Sequence, residues 1–318
     1  MIWAATVPLA IWALVRAFGL ESGGLVTTAM FFTPWVAIAA LLGAGVAVAW
    51  RNWAAAAVAG IAAAYLAAAV LPRALGDEAV PASGRETFTV LSANVYLGTA
   101  DPNALVELVD RYDPDLLSVQ ELTPSFVRRL ERAGLGERLP HSVLMAQPGG
   151  RGGGLYARRS LAPLPARQLL FRMPRARIVL PSGSRLRLVA VHPQPPNLSF
   201  DAWRGGLEIL PEPDAGDPWI LAGDFNATFD QAEFRDLVDG GYRDAGDATG
   251  EGLEPTWPGP EWLPFGLIAI DHVLADRRLR VAEYGVDALA GSDHRAVHAT
   301  LVLPQRASGE SARTGRVG

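Results

Sequence analysis

Residues 1 to 72 carry only three charged side chains, Arg16, Glu21 and Arg51, before Arg73 arrives. A stretch of that length with no polar face has few folded options, because an amphipathic surface helix needs charged or polar residues opposite its apolar stripe. Spanning a bilayer takes about 20 mostly apolar residues as a helix, with ~17 as the lower limit. Three stretches meet that requirement: 2–18, 25–50 and 53–71. Gly19 to Gly24 and Arg51-Asn52 read as the turns between them, and Arg16, near the end of the first stretch, is placed to snorkel to an interface.

Two other readings compete. A cleavable signal peptide would account for the first stretch, but no basic segment precedes the apolar run, and the other two stretches would remain. Buried globular helices would account for all three, but none of the stretches has a polar side. Trp3, Trp50 and Trp53 fall where an aromatic belt would put them. The expectation is therefore an integral membrane protein of the plasma membrane, with a bundle of about three transmembrane helices over residues 1–72 held in the lipid bilayer. With Arg51 in a cytoplasmic loop, everything after the third span lies outside the cytoplasm.

Residues 73–84 are charged and proline-bearing and read as a linker; residues 304–318, rich in Gly, Ser and Arg, read as a disordered tail. Between them, residues 85–303 alternate strand-like and helix-like segments. Strands are expected at Thr87–Ala93, Asp115–Leu122, Arg185–His192, Trp219–Asn226, Asp271–Ala275 and His294–Leu303, and helices after Asp101-Pro102 and Thr123-Pro124, over Phe200–Leu210 and over Gln231–Val238. This pattern predicts an α/β (α+β) domain of two packed sheets flanked by helices.

A formal net charge of −5 argues against a broad basic surface for gripping nucleic acid. The absence of cysteine excludes disulfides, thiolate catalysis and thiolate-bound zinc. The residues suited to chemistry sit where apolar strands stop: Asn94, Glu121, His192, Asp224 with Asn226, and Asp293 with His294. Loops at such positions hold functional groups against a rigid scaffold. Carboxylate and amide oxygens of this kind suit Mg²⁺ or Mn²⁺.

Leu91-Ser92-Ala93-Asn94, Val119-Gln120-Glu121, Val191-His192, Gly223-Asp224-Phe225-Asn226, Thr256-Trp257, Ile270-Asp271-His272 and Ser292-Asp293-His294, in that order and spacing, resemble the endonuclease/exonuclease/phosphatase superfamily. The resemblance implies a four-layered α/β/β/α sandwich of two mixed sheets and a divalent metal, most often magnesium. It implies Glu121, with Asn94 and Asp293, as metal ligands, and His294 as general base oriented by Asp271. Asp224 would position the attacking water. Asn226, two residues on and so on the same face if the strand continues, would donate to a phosphate oxygen, and His192 would bind the phosphate or assist the leaving group.

His272, pointing the other way from Asp271 along a strand, is expected to be structural. Gly149 to Gly154 reads as a mobile loop at the rim of the site, and Arg151, Tyr156, Arg175 and Arg177 as residues within reach of a substrate phosphate or merely solvated. The expected function is a membrane-anchored, metal-dependent phosphoester hydrolase, on lipid phosphoesters because the loop from Trp257 to Phe265 is apolar rather than basic. A tethered nuclease and a non-catalytic scaffold are the alternatives, and no protein partner is predicted.

Overall fold

In the computed structural model, which describes residues 2–76, 79–167 and 169–304, twelve strands form two six-stranded mixed sheets. The first contains β1 (Thr87–Asn94), β2 (Leu116–Gln120), β3 (His141–Met145), β4 (Gly153–Ala157), β11 (Arg280–Ala288) and β12 (Arg295–Val302), in the order β11-β12-β1-β2-β4-β3. The second contains β5 (Leu161–Leu164), β6 (Arg175–Val179), β7 (Arg185–Val191), β8 (Trp219–Asp224), β9 (Tyr242–Asp244) and β10 (Asp271–Asp276), in the order β5-β6-β7-β8-β10-β9.

Three apolar layers hold the sandwich. Phe88, Val90, Leu116, Leu188, Ile220, Val273 and Val297 fill the space between the sheets. Leu91, Leu117 and Val119 face outward onto the helices Pro102–Tyr112 and Pro124–Arg132, while Val189, Leu221 and Leu274 face the helices Phe200–Glu208 and Ala232–Asp239. The central strands β2 and β8 are buried on both faces and therefore read as mostly apolar runs, interrupted in β2 by Ser118 and ended by Gln120 and Asp224. The helix starts follow from side-chain chemistry: Asp101, Thr123 and Ser199 accept the N–H groups of Asn103, Phe126 and Ala202 at otherwise unpaired first turns. The architecture is the expected α/β/β/α sandwich.

Four helices precede it: α1 (Ile2–Phe18), α2 (Gly23–Met30), α3 (Thr33–Ala49) and α4 (Trp53–Val70). Small residues Ala55, Ala59, Ala62 and Ala63 of α4 are buried, which lets helix backbones approach closely. The expected span over 25–50 is not one helix. It breaks at Phe31-Phe32, and α2 lies at 98° to α1. The reason is Pro34 in the first turn of α3: proline has no N–H to continue a helix and disfavours helical geometry in the residue before it. The Thr33 hydroxyl then donates to the Met30 carbonyl, which the break leaves without a helical partner. By length and composition, one helix, Trp53–Ala74, reaches the size of a membrane span, and α1 with α2 does so only as a bent pair.

The bundle docks on the sandwich through charge. Arg16 Nε donates to Asp230 Oδ1 at 2.7 Å, and Arg73 donates to both oxygens of Asp230 at 2.9 and 2.7 Å, with all three residues buried. Arg16 therefore does not snorkel, and Arg73 is a structural contact rather than the start of a loose linker. Burial raises the Asp230 pKa, but the two guanidinium groups outweigh it and hold the carboxyl below its ordinary range. The Ala232 N–H donates to Glu21, and Gln231 Nε2 donates to the Thr27 carbonyl. The Val80 N–H donates to the Val281 carbonyl, tying the connecting segment to the edge strand β11. Nearly all of the expected tail, 305–318, lies outside the described residues.

Candidate active site

Strand register assembles the site. Parallel pairing of β1 with β2 sets Asn94 opposite Gln120, one residue from Glu121, and parallel pairing of β7 with β8 sets Val191 opposite Gly223, so that His192 and Asp224 leave the sheet together. Antiparallel pairing of β8 with β10 puts Asp224 directly opposite Asp271. Gly223 permits this approach, since a Cβ there would fall 2.0 Å from the Val191 carbonyl oxygen. The loop before β12 is pinned by Ser292, whose hydroxyl donates to the Asn94 carbonyl at 2.7 Å and accepts from the His294 N–H at 3.0 Å.

These strand ends converge on one histidine. His294 Nδ1 lies 2.9 Å from Asp271 Oδ2, and its Nε2 lies 3.6 Å from Asp224 Oδ2 and 4.0 Å from Asp293 Oδ1. The Asp271 N–H and the Ile270 N–H both donate to the Thr256 hydroxyl, which fixes the carboxylate. Asn94 Nδ2 donates to Asp224 Oδ2 at 3.1 Å and lies 3.4 Å from Glu121 Oε1. Glu121 itself accepts the Leu97 N–H at 2.6 Å. Gly150 brings its backbone against the Glu121 carboxyl, 3.2 Å from where a Cβ would stand.

The electrostatics are lopsided: four carboxylates surround one imidazole. Burial and the facing Asp271 push the Asp224 pKa up to about 7 despite His294, and burial also raises Glu121 and Asp293. For His294 burial favours the neutral form, but Asp271 and Asp224 overcome it and raise the imidazole to about 10. His192, buried against the edge of Phe171 and repelled by His294, falls to about 3 and is neutral. A neutral ring with its Nε2 3.6 Å from Asp224 suits it to hydrogen bonding a phosphate better than to supplying a proton as an acid.

A cation would relieve this surplus of negative charge. The buried Oδ1 of Asp293 has no hydrogen-bond partner, and an oxygen in that state is a free ligand position. Asp224, Asp271 and His294 also offer ligand atoms within 4.8 Å of one another. However, the 2.9 Å contact commits the His294 Nδ1 lone pair or proton to Asp271, so that trio is better built for sharing a proton than for holding an ion. Glu121 and Asp293 are the carboxylates that fit a hard divalent metal. Asn94 was expected as an oxygen ligand, but its Oδ1 accepts the Tyr96 N–H at 3.0 Å and its nitrogen faces the acids, so it is oriented to position Asp224.

Asn226 also departs from expectation. Asp224 Oδ1 accepts the Asn226 N–H at 2.8 Å, and Asn226 has a φ of 47°, so the chain turns and the two side chains do not share a strand face. The Asn226 amide donates to the Pro193 carbonyl and holds the loop that carries His192. Arg175 donates to the Ile209 carbonyl and Arg177 pairs with Asp217, both away from the site. Gly153 and Gly154 belong to the buried strand β4 rather than to a mobile rim. His272, buried between Asp244 and the Ala227 carbonyl at 2.9 and 3.0 Å, is a structural contact.

Sequence reasoning missed one wall of the cleft altogether. Thr28, Phe31 and Phe32, from α2 and the break after it, line the same cavity of about 360 Å³ as Glu121, Asp224 and His294. Pro34 was the signal available for that break.

The fold has many relatives of known structure. A humanized zebrafish TDP2 superposes with a TM-score of 0.53 at 19% identity, covering 68% of this chain and 98% of its own. An endonuclease/exonuclease/phosphatase from Beutenbergia cavernae gives 0.52 at 17%, covering 69% and 72%. A mannosyl-6-phosphatase from Bacteroides thetaiotaomicron gives 0.50 at 18%, covering 68% and 100%. A comparison with curated proteins finds no match. Residues 91–294, which contain every side chain of the converging site, match the profile of the Endonuclease/Exonuclease/phosphatase family. The chain belongs to that family and is a phosphoester hydrolase.

Proposed function

We propose that this enzyme is a divalent-metal-dependent phosphoester hydrolase held at a membrane by residues 1–72, with a catalytic domain over 85–303 that acts on lipid-borne phosphoesters. The carrying observation is that Asp271 occupies His294 Nδ1 while Nε2 is turned to Asp224, in one cavity with Glu121 and Asp293. Glu121 and Asp293 would hold Mg²⁺ or Mn²⁺. When bound, such an ion supplies Lewis-acid stabilisation of the negative charge that develops on phosphoryl and leaving oxygens.

The chain's own residues do the rest. The carboxylates that raise His294 to about 10 would be offset by the charge of a bound divalent ion; the neutral imidazole then takes the proton of the attacking water at Nε2, and Asp271 fixes the tautomer and stabilises the imidazolium that results. Asp224, held by Asn94 and by the Asn226 N–H, orients that water. The neutral His192, on the loop fixed by Asn226, donates to a phosphate oxygen.

The membrane setting is supported by the arrangement of the bundle, in which α1 and α4 run the same way and α3 returns between them. The ends of α1 and α4 meet at Asp230, which leaves Trp3, Trp50 and Trp53, all exposed, at the far end, ~25 Å away for a 17-residue helix. Exposed Trp35, Trp262 and Phe265 mark the near end. Two such belts at that spacing suit a thin bilayer with the catalytic domain on one side, at the outer face of the plasma membrane. A nuclease is the second reading, favoured by the zebrafish TDP2 structure with a single-strand DNA product.

Full-length protein in detergent, given Mg²⁺ and a panel of phospholipids, phosphosugars, DNA and RNA, tests the choice. Metal-dependent cleavage of phospholipid is expected; cleavage of nucleic acid alone, weakening steeply with salt, would establish the nuclease instead.

A further inference from the structure

Beside the catalytic cleft lies a second cavity, of about 250 Å³, between the helix bundle and the segment 252–269. The two cavities share Phe31 and Ile268 as lining residues. Its walls are apolar, formed by Pro34, Trp35, Phe229, Leu253, Pro255 and Leu267. The polar groups that reach it are already satisfied. Asp230 is paired with Arg16 and Arg73, His272 with Asp244 and Ala227, and the Thr228 hydroxyl with Gln231. A charged or hydrogen-bonding headgroup would find no partner there, whereas a hydrocarbon chain would lose only water.

The rim points the same way. Trp257 and Ile268 exchange backbone hydrogen bonds at 3.0 Å, closing a loop whose tip exposes Trp262 (61%) and Phe265 (65%). Trp35 Nε1 donates to the Leu267 carbonyl and fastens this loop to the start of α3. Large apolar side chains exposed together in this way mark an interaction surface, here beside the near end of the bundle.

We infer that this cavity seats the hydrocarbon chain of the substrate, while its phosphate lies in the neighbouring cleft. The inference rests on the lipid-phosphoester reading above and narrows it to esters with a chain attached close to phosphorus. Entry is past Trp35 and Phe265, and Phe31 stands at the junction of the two chambers. Each methylene buried there adds to the apolar surface removed from water, so chain length is the readout.

The test uses full-length protein in detergent with Mg²⁺, and p-nitrophenyl phosphodiesters whose second ester is methyl or dodecyl. Wild type should prefer the dodecyl ester in kcat/KM. Ala269→Trp and Leu253→Trp, at partly exposed positions, fill the cavity without entering the catalytic cleft. Each should cut the dodecyl-over-methyl preference by about tenfold or more, with methyl-ester turnover kept within about twofold. Comparison with wild type cancels partitioning of the ester into micelles. An unchanged preference in both variants overturns the inference. Failure of wild type to hydrolyse either ester with Mg²⁺ instead removes the hydrolytic reading, and the inference with it.

Discussion

Two buried clusters of charge, centred on aspartates six residues apart along the chain, Asp224 and Asp230, are built on opposite plans. At the junction of bundle and sandwich, Asp230 faces two guanidinium groups, and every oxygen is paired. At the catalytic centre, Asp224 faces Asp271 across an antiparallel pair, with Glu121 and Asp293 nearby and one imidazole among them. The first cluster is a completed ion network, which holds two elements together as long as none of its members is removed. The second is incomplete by design: like charges opposite one another in a sheet are destabilising, and they persist where binding a cation and moving a proton require them. Conversely, an ionisable group that is fully satisfied in the interior, as His272 is, has no capacity left for chemistry.

The sharpest contrast is expected from neutral substitutions. Glu121→Gln removes a carboxylate offered to the metal and should lower kcat/KM by about 10³-fold or more, with Mg²⁺ affinity falling in calorimetry while the circular dichroism spectrum is unchanged. If Mg²⁺ affinity is undisturbed, Glu121 is not a ligand.

Asp230→Asn should destabilise by ~3–5 kcal/mol, because two buried guanidinium groups lose their counter-ion. The pH dependence follows from the direction of the shift. Asp230 is held below its ordinary range, so its contribution is full above the unfolded pKa of ~4 and is lost as pH falls through the folded value. The difference in melting temperature between wild type and Asp230→Asn should therefore be widest near neutral pH and should narrow below pH ~4. A difference that is flat from neutral to acid would show that the network contributes nothing through its charge.

Asp224→Asn is expected to do the reverse, abolishing turnover while stabilising the metal-free protein by ~1 kcal/mol, since it removes one of two facing carboxylates and keeps the oxygen that accepts the Asn226 N–H. A melting temperature that falls would mean that the site is not strained by charge. Together the two aspartates turn the comparison into a single experiment with opposite signs.

What the sequence revealed follows the same physical division. Strands β1, β2, β7, β8, β10 and β12 lie inside their sheets, are covered on both faces over much of their length, and so appear as apolar runs whose polar ends stand out. Asn94, Glu121, His192, Asp224, Asp271 and His294 were legible for that reason. Strands β3, β5 and β6 lie at or next to sheet edges, are incompletely buried and carry residues such as Pro163, Arg175 and Arg177, and they did not stand out from loops.

Contacts distant in sequence were illegible. Nothing near Arg16 announces Asp230, more than 200 residues away, and an arginine close to the end of an apolar run reads as a snorkelling residue until its partner is known. The turn at Asn226 was obscured because Asp-x-Asn fits a strand end and a side-chain-capped turn equally well. The α2–α3 break was signalled by Pro34, yet its consequence, that the bundle supplies a wall of the active site, depends on the 98° bend that no local rule specifies.

The central claim is that His294, poised by Asp271, activates water in a metal-dependent phosphoester hydrolase. Its most direct test is Mg²⁺-dependent phosphodiester turnover by full-length wild type and by His294→Ala, with the fold of each checked by circular dichroism. The account predicts a loss in kcat of at least about 10²-fold with melting behaviour retained. Turnover near the wild-type rate by a folded His294→Ala protein would contradict it.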